Sequence, residues 1–220
     1  MTKLYIMKTD NIDDAQINSE FIRGIISAQR LCACQQYKSD SDKRMSVGVE
    51  LLLCYHFINT CTDADKVKFP LPIAISDYNK PYFPGNNIEF SFSHSNDYCV
   101  CGVSDSLIGV DIEKRIRLIK QNLYNYMHNQ DDIDDSLIAW CGKEAYLKYS
   151  GYGIGGKYKM CDIAVKNNCI VNTQINETVP LKVIETDDML ITVCTKNCDE
   201  LEIENVDYQT IKNAYCKHNK

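Results

Sequence analysis

The chain has no excess of positive charge. Its 24 Lys and Arg stand against 30 Asp and Glu, a formal net charge of -6 with a pI near 5.2. Broad nucleic-acid binding calls for a basic face or stripe, so that class of function is disfavoured, although a local basic pocket is not. Long hydrophobic runs are missing as well. Nothing approaches the ~18 to 20 apolar residues that would span a bilayer, and the opening residues, Met1 to Lys8, hold too short an apolar run for a secretory leader. A cytoplasmic protein with no membrane partner is expected. A third absence is the C-x-x-C spacing of zinc ribbons, despite twelve cysteines. Cys32/Cys34 and Cys99/Cys101 are C-x-C pairs, Cys194/Cys198 lie four apart, and the others sit in apolar surroundings such as Leu53-Cys54-Tyr55. In a reducing cytosol most of them are expected to be small buried hydrophobes.

What is present is an ordinary globular composition: 45% hydrophobic and 25% charged over 220 residues, enough for one large domain or two small ones packed together. Alternating apolar residues predict a strand over the first eight positions. Helical patterns follow over 17–36 and 44–58, the second with Asp40, Ser41 and Asp42 as candidate caps. A Pro- and Gly-punctuated region from Phe69 to Gly85 predicts turns with short extended pieces. Strands are expected over 88–93 and 98–103, joined by a polar turn His94-Ser95-Asn96-Asp97, and over 107–113. A basic stretch (Lys114, Arg115, Arg117, Lys120), a polar helix and an acidic run from Asp131 to Asp135 come next. The segment 136–149 is the clearest helix of the second half, closed by Gly151 and Gly153. Short strands and a last helical piece over 207–217 complete a mixed α+β pattern. The apolar strands Tyr98–Val103 and Leu190–Thr195 are weakly alike, a hint of internal duplication.

Three segments carry candidate chemistry. In Gly109-Val110-Asp111-Ile112-Glu113 the two carboxylates are two apart, so a strand presents them on one face with Val110 and Ile112 behind. Two adjacent carboxylates repel unless a cation or proton lies between them, and a few hard oxygen ligands suit magnesium. A solvent-facing strand with Lys114 and Arg115 as charge partners explains the same residues. In Trp140-Cys141-Gly142-Lys143-Glu144-Ala145-Tyr146-Leu147-Lys148, helical spacing aligns Trp140, Glu144 and Lys148, with Lys143 and Leu147 beside them. That row is either a surface ion pair or a third acid and a cation facing the strand carboxylates. In Phe90-Ser91-Phe92-Ser93-His94-Ser95, phenylalanines alternate with serines, and His94 falls at the strand end, where a histidine is more often a turn residue than a ligand or catalyst. Lys80 lies in a proline-fixed turn, Asn79-Lys80-Pro81-Tyr82, and Arg44 opens a helix.

Taken in order, Lys80-Pro81-Tyr82, Phe92-Ser93-His94-Ser95, Gly109-Val110-Asp111-Ile112-Glu113 and Trp140-x-x-Lys143-Glu144-Ala145-x-x-Lys148 resemble the phosphopantetheinyl transferases of the long, monomeric Sfp type. Arg44, Gly48 and the leucine-rich helix extend the resemblance, which covers about residues 40 to 155. It implies an α+β sandwich of two similar pseudo-symmetric subdomains, 1–108 and 109–220, with coenzyme A in the cleft between them. It also implies Mg2+ on Asp111, Glu113 and Glu144. Arg44, Lys80, Ser93, His94, Asp111 and Lys148 would contact coenzyme A, and Glu144 or Lys148 would take the proton. The implied activity is transfer of 4'-phosphopantetheine to a serine of an apo acyl or peptidyl carrier protein. A coenzyme A- or carrier-binding relative without turnover is the alternative. The chain departs from the family between Glu113 and Trp140, where Tyr124-Asn125-Tyr126-Met127-His128 replaces a phenylalanine-rich segment. It departs again before Arg44, where Arg30 is the lone cation of its segment and Lys38 and Lys43 are candidate substitutes.

Overall fold

Two sheets and the helices packed on them organise the chain, and the computed structural model describes residues 1–61, 67–85, 87–115 and 131–219. The first sheet contains β1 (Thr2–Lys8), β4 (Glu89–Ser95), β5 (Tyr98–Ser104) and β11 (Leu201–Asn205), in the order β11-β1-β5-β4. The second contains β6 (Ile108–Lys114), β7 (Ile163–Lys166), β8 (Cys169–Asn172), β9 (Glu177–Glu185) and β10 (Met189–Thr195), in the order β6-β10-β9-β8-β7. A small hairpin of β2 (Ala74–Ile75) and β3 (Pro81–Tyr82) occupies the Pro-rich region. β1 and β11 run parallel, and the other ladders are antiparallel. The helices are α1 (Asp14–Ile17), α2 (Glu20–Ile25), α3 (Ala28–Gln36), α4 (Asp40–Thr60), α5 (Ser136–Ser150) and α6 (Tyr208–His218). This mixed content matches the α+β expectation. The two strands flagged for their likeness, β5 and β10, each lie inside a sheet, while the carboxy-terminal β11 and α6 return to β1 and α4.

The single helix expected over 17–36 is three short ones. Ser19 and Ser27 have extended backbone, and their hydroxyl oxygens accept from Ile22 N (3.4 Å) and Arg30 N (3.3 Å). A serine in that conformation ends one helix and starts the next. Helix α4 begins earlier than its hydrophobic pattern, at a cap supplied by Ser39, so Asp40 and Asp42 are first-turn carboxylates that interact favourably with the positive end of the helix dipole. From Met45 to Phe57 every residue of α4 is buried, as in a helix covered on all sides. The β4–β5 turn is also tighter than expected. Asn96 and Asp97 alone form it, with φ of 51° and 66°, the handedness that matches strand twist, and His94 and Ser95 belong to β4.

Core packing sets the two sheets together. Leu4, Ile6 and Val100 of the first meet Ile108, Val110, Ile112, Ile191 and Val193 of the second. On the opposite face of the second sheet, α5 crosses β6 at Gly109. A methyl group there would fall on the Ala145 carbonyl oxygen and the Tyr149 nitrogen, so the absence of a side chain lets helix and strand backbones touch. That close crossing lays the middle of α5 directly beside Asp111. Gly151 then ends α5 with φ of 80°, as a left-handed C-cap should. The expectations placed on Arg117, Lys120, the polar helix after them and Tyr124–His128 fall outside the described residues.

Candidate active site

Edge strand β4 of the first sheet runs against edge strand β6 of the second, and a cleft of about 530 Å³ opens there, a usual size for a small-molecule site. Asp111, Glu113, Glu144, Lys148, Lys80, Ser93 and His94 all line it. Strand alternation brings Asp111 and Glu113 to one face, with Val110 and Ile112 buried behind at 0% and 1% exposure. For Asp111 the solvent-facing alternative does not hold, since it is only 3% exposed, while Glu113 is half-buried. One turn apart on α5, Glu144 and Lys148 face the same space. The Lys148 ammonium donates to Asp111 Oδ1 (2.8 Å) and to Ser93 Oγ (2.9 Å), and Ser93 Oγ donates to the same Asp111 oxygen (2.8 Å). Three motifs from three elements thus join at one carboxylate.

The electrostatics of the cleft register in two neighbours. Burial pushes the Cys141 thiol pKa far up, and the negative charges of Asp111, Glu113 and Glu144 push it further, so one buried sulfur senses all three carboxylates. Loss of solvent lowers the pKa of His94, and the Lys148 and Arg30 cations act in the same direction. The residue as a whole is nevertheless exposed. Among the described residues no three His, Cys, Asp or Glu side chains stand close enough together to grip a metal ion. The donors nevertheless fit a hard divalent cation: Asp111 Oδ2 is buried with no N–H or O–H donor on it, the Cys141 thiol being only a weak donor to that carboxylate, which is costly for a carboxylate oxygen unless a cation meets it. The residues expected on Mg2+ line one and the same cleft, with the Lys148 ammonium against Asp111.

The comparisons agree with the motifs. No family model matches the chain. It is 26% identical over 165 residues, 70% of this chain and 68% of the relative, to the 4'-phosphopantetheinyl transferase gsp of Aneurinibacillus migulanus. It is 24% identical over 202 residues, 81% of this chain and 87% of the relative, to the 4'-phosphopantetheinyl transferase of Bacillus subtilis. Both relatives, each about a quarter identical to the chain over much of its length, carry the name 4'-phosphopantetheinyl transferase.

Against that transferase background, several residues stand where the sequence did not put them. Arg44 does not line the cleft. Its guanidinium pairs with Asp97 Oδ1 (3.0 Å) in the β4–β5 turn, where Ser41 Oγ also donates (2.6 Å). Lys43 pairs with Asp40 on the surface and Lys38 is exposed, and neither lines the cleft, whereas Arg30 does. Its Nε donates to Glu50 Oε2 (3.3 Å), its guanidinium lies over the Phe92 ring at 5.6 Å, and it lines the cleft. Glu50, 1% exposed in the apolar α4, also accepts from Ser27 N and Ser27 Oγ. The signal in the sequence was a carboxylate inside a hydrophobic helix, which needs a partner; the partner lies twenty residues away and only folding shows it. Lys143, beside Glu144 in the motif, turns inward: it is 1% exposed, with its ammonium 2.7 Å from Asp131 Oδ2. The acidic run is accordingly not a solvated strip, since Asp131 also accepts from Val165 N (2.8 Å) and Asp135 caps α5 and pairs with Arg115. Lys80 reaches from its turn to Glu89 Oε2 (3.2 Å) and the Tyr149 carbonyl oxygen (3.4 Å).

Proposed function

We propose that the chain transfers the 4'-phosphopantetheine of coenzyme A to a serine of an apo acyl or peptidyl carrier protein, with release of adenosine 3',5'-bisphosphate. The observation that carries this reading is the junction at Asp111, where a strand carboxylate, a serine of the facing strand and a lysine of α5 meet in one cleft. The named relatives supply the reaction class. In this reading the chain consists of two similar subdomains, 1–108 and 109–220, with the carboxy-terminal strand and helix returning to the first. The cleft lies between them, so a monomer suffices. Twelve unpaired thiols suit a reducing compartment, and the cytoplasm is the proposed location.

The residues have separate tasks. Arg30, Lys80 and His94 hold the nucleotide phosphates, with Arg44 stiffening the turn beside His94. Asp111, Glu113 and Glu144 would hold Mg2+, which when bound neutralises diphosphate charge. The Lys148 ammonium already donates to two acceptors, so it serves as a cation toward the diphosphate rather than as a base. Glu144 accepts the proton of the carrier serine as the hydroxyl oxygen attacks the phosphorus that bears pantetheine. The new Ser O–P bond forms as the bond to the bisphosphate oxygen breaks, and that oxygen leaves with its electron pair. Positioning and charge neutralisation account for most of the catalysis in such transfers. Incubation with coenzyme A, MgCl2 and a panel of apo carriers, read by intact-protein mass spectrometry, tests the proposal. A carrier heavier by one phosphopantetheine is the expected product. Coenzyme A bound without any carrier modified would establish a binder, and coenzyme A consumed without carrier would establish a hydrolase; either refutes transfer.

A further inference from the structure

Strands β4 and β6 are the facing edges of different sheets, and no ladder joins them. Three serine hydroxyls on one face of β4 bridge the gap instead. Ser91 Oγ accepts from Val110 N (3.1 Å), Ser93 Oγ donates to Asp111 Oδ1 (2.8 Å), and Ser95 Oγ donates to Glu113 Oε2 (2.9 Å). The period of two along β4 matches the period of two along β6, so each carboxylate of the strand pair meets its own hydroxyl from the other sheet. Ser93 also bonds Lys148 and lines the main cleft. Ser95 differs: it is half-buried, does not line that cleft, and bounds a shallower hollow beside it with His94, Glu113 and Lys114. A ligand in the cleft therefore meets Glu113 and not Ser95.

We propose that Ser95 is a positioning residue whose hydroxyl aims the Glu113 carboxylate into the cleft, and thereby sets the affinity of the site for a divalent cation without touching substrate. The inference rests on the divalent-cation reading above. A second observation supports that reading independently of the acidic side chains as a group: Asp111, 3% exposed, keeps Oδ2 buried with no N–H or O–H donor on it, only the weak Cys141 thiol lying against the carboxylate. A glutamate side chain has three rotatable bonds, and one fixed oxygen restricts all of them. Groups that orient a metal ligand in this way commonly change metal affinity by 10- to 100-fold when removed.

The test is Mn2+ binding to the full chain without coenzyme A, followed by the electron paramagnetic resonance signal of free Mn2+. Ser95→Ala is expected to weaken binding by about tenfold. Ser95→Thr, which keeps the hydroxyl, is expected to stay close to the parent chain. In a Glu113→Gln background, Ser95→Ala is expected to change nothing further. Unaltered Mn2+ affinity in Ser95→Ala, or an equal loss with and without the Glu113 carboxylate, overturns the positioning role while leaving the metal site standing. Equal Mn2+ binding by the parent and Asp111→Asn overturns the divalent-cation reading itself, and the positioning role with it. A matching readout comes from turnover: the Mg2+ concentration for half-maximal rate rises in Ser95→Ala, with kcat at saturating Mg2+ retained. A rise in the KM for the carrier with unchanged Mg2+ dependence would mean that Ser95 contacts the carrier instead, and would also overturn the proposal.

Discussion

Replacing Lys143 by methionine separates a structural lysine from a chemical one within the Trp140–Lys148 motif. The Lys143 ammonium is buried at 1% exposure and lies 2.7 Å from Asp131 Oδ2, whose side chain is 2% exposed. Burial lowers the Lys143 pKa and the Asp131 carboxylate works against that shift. Breaking a buried pair by removing one partner costs about 3 to 5 kcal/mol, because the remaining charge loses its counter-charge where water does not reach. With an unfolding entropy of about 2.1 cal/mol/K per residue, a chain of this length loses roughly 7 to 11 °C in Tm. The compensating change is Asp131→Asn. It removes the charge and keeps an oxygen to accept from Val165 N. The Lys143→Met/Asp131→Asn double variant is therefore expected to recover most of the loss, a coupling measured by a double-mutant cycle in denaturant unfolding. Turnover per folded molecule should be nearly that of the parent. A loss under about 1 kcal/mol in Lys143→Met, or a sharp fall in kcat with stability intact, would refute the structural assignment.

Other outcomes follow from the same geometry. Arg30→Ala should raise the KM for coenzyme A roughly 10- to 100-fold, the scale of a lost charge-assisted hydrogen bond, and Glu50→Gln should do so less strongly; steady-state kinetics that show a fall in kcat at constant KM would contradict the binding role. His94, whose pKa lies below its ordinary value, is neutral near pH 7 and should take up a proton when a phosphate dianion arrives. Calorimetric heats of coenzyme A binding should then vary with the ionisation enthalpy of the buffer, His94→Gln should reduce that dependence, and the KM should rise with pH. His56 is buried against Tyr5, with the ring nitrogen Nδ1 3.0 Å from the phenol oxygen and a pKa lowered to about 4 by loss of solvent. The unfolded chain binds a proton below pH ~6.5 that the native ring refuses until about pH 4, so this contribution is intact above ~6.5 and declines as pH falls. Between pH 7.5 and 5 the parent should lose about 2 kcal/mol more than His56→Gln in urea titrations; parallel pH profiles would show that the ring is protonated in the native state.

Much of the site was legible in the order of residues. The two-residue period of a strand places Asp111 and Glu113 on one side, and the four-residue row of a helix places Glu144 above Lys148; both are properties of local geometry, and both hold. Element types also followed from pattern, except where Ser19 and Ser27 cut one apolar stretch into three helices, because a cap depends on backbone conformation and not on hydrophobicity. The partners of charged residues were not legible. Nothing in the local sequence says that Lys143 turns away from its neighbour Glu144 to meet Asp131, that Arg30 is held by Glu50, or that Arg44 belongs to the turn at Asp97. Ion pairs join side chains distant along the chain, and the choice among them is made by which surfaces the core brings together. The sequence alone determined which chemical groups exist and which face of each element carries them. The tertiary structure decided which of those faces meet, since the contact of α5 with β6 at Gly109 and of β4 with β6 through three serines is a matter of packing between elements that no local spacing encodes.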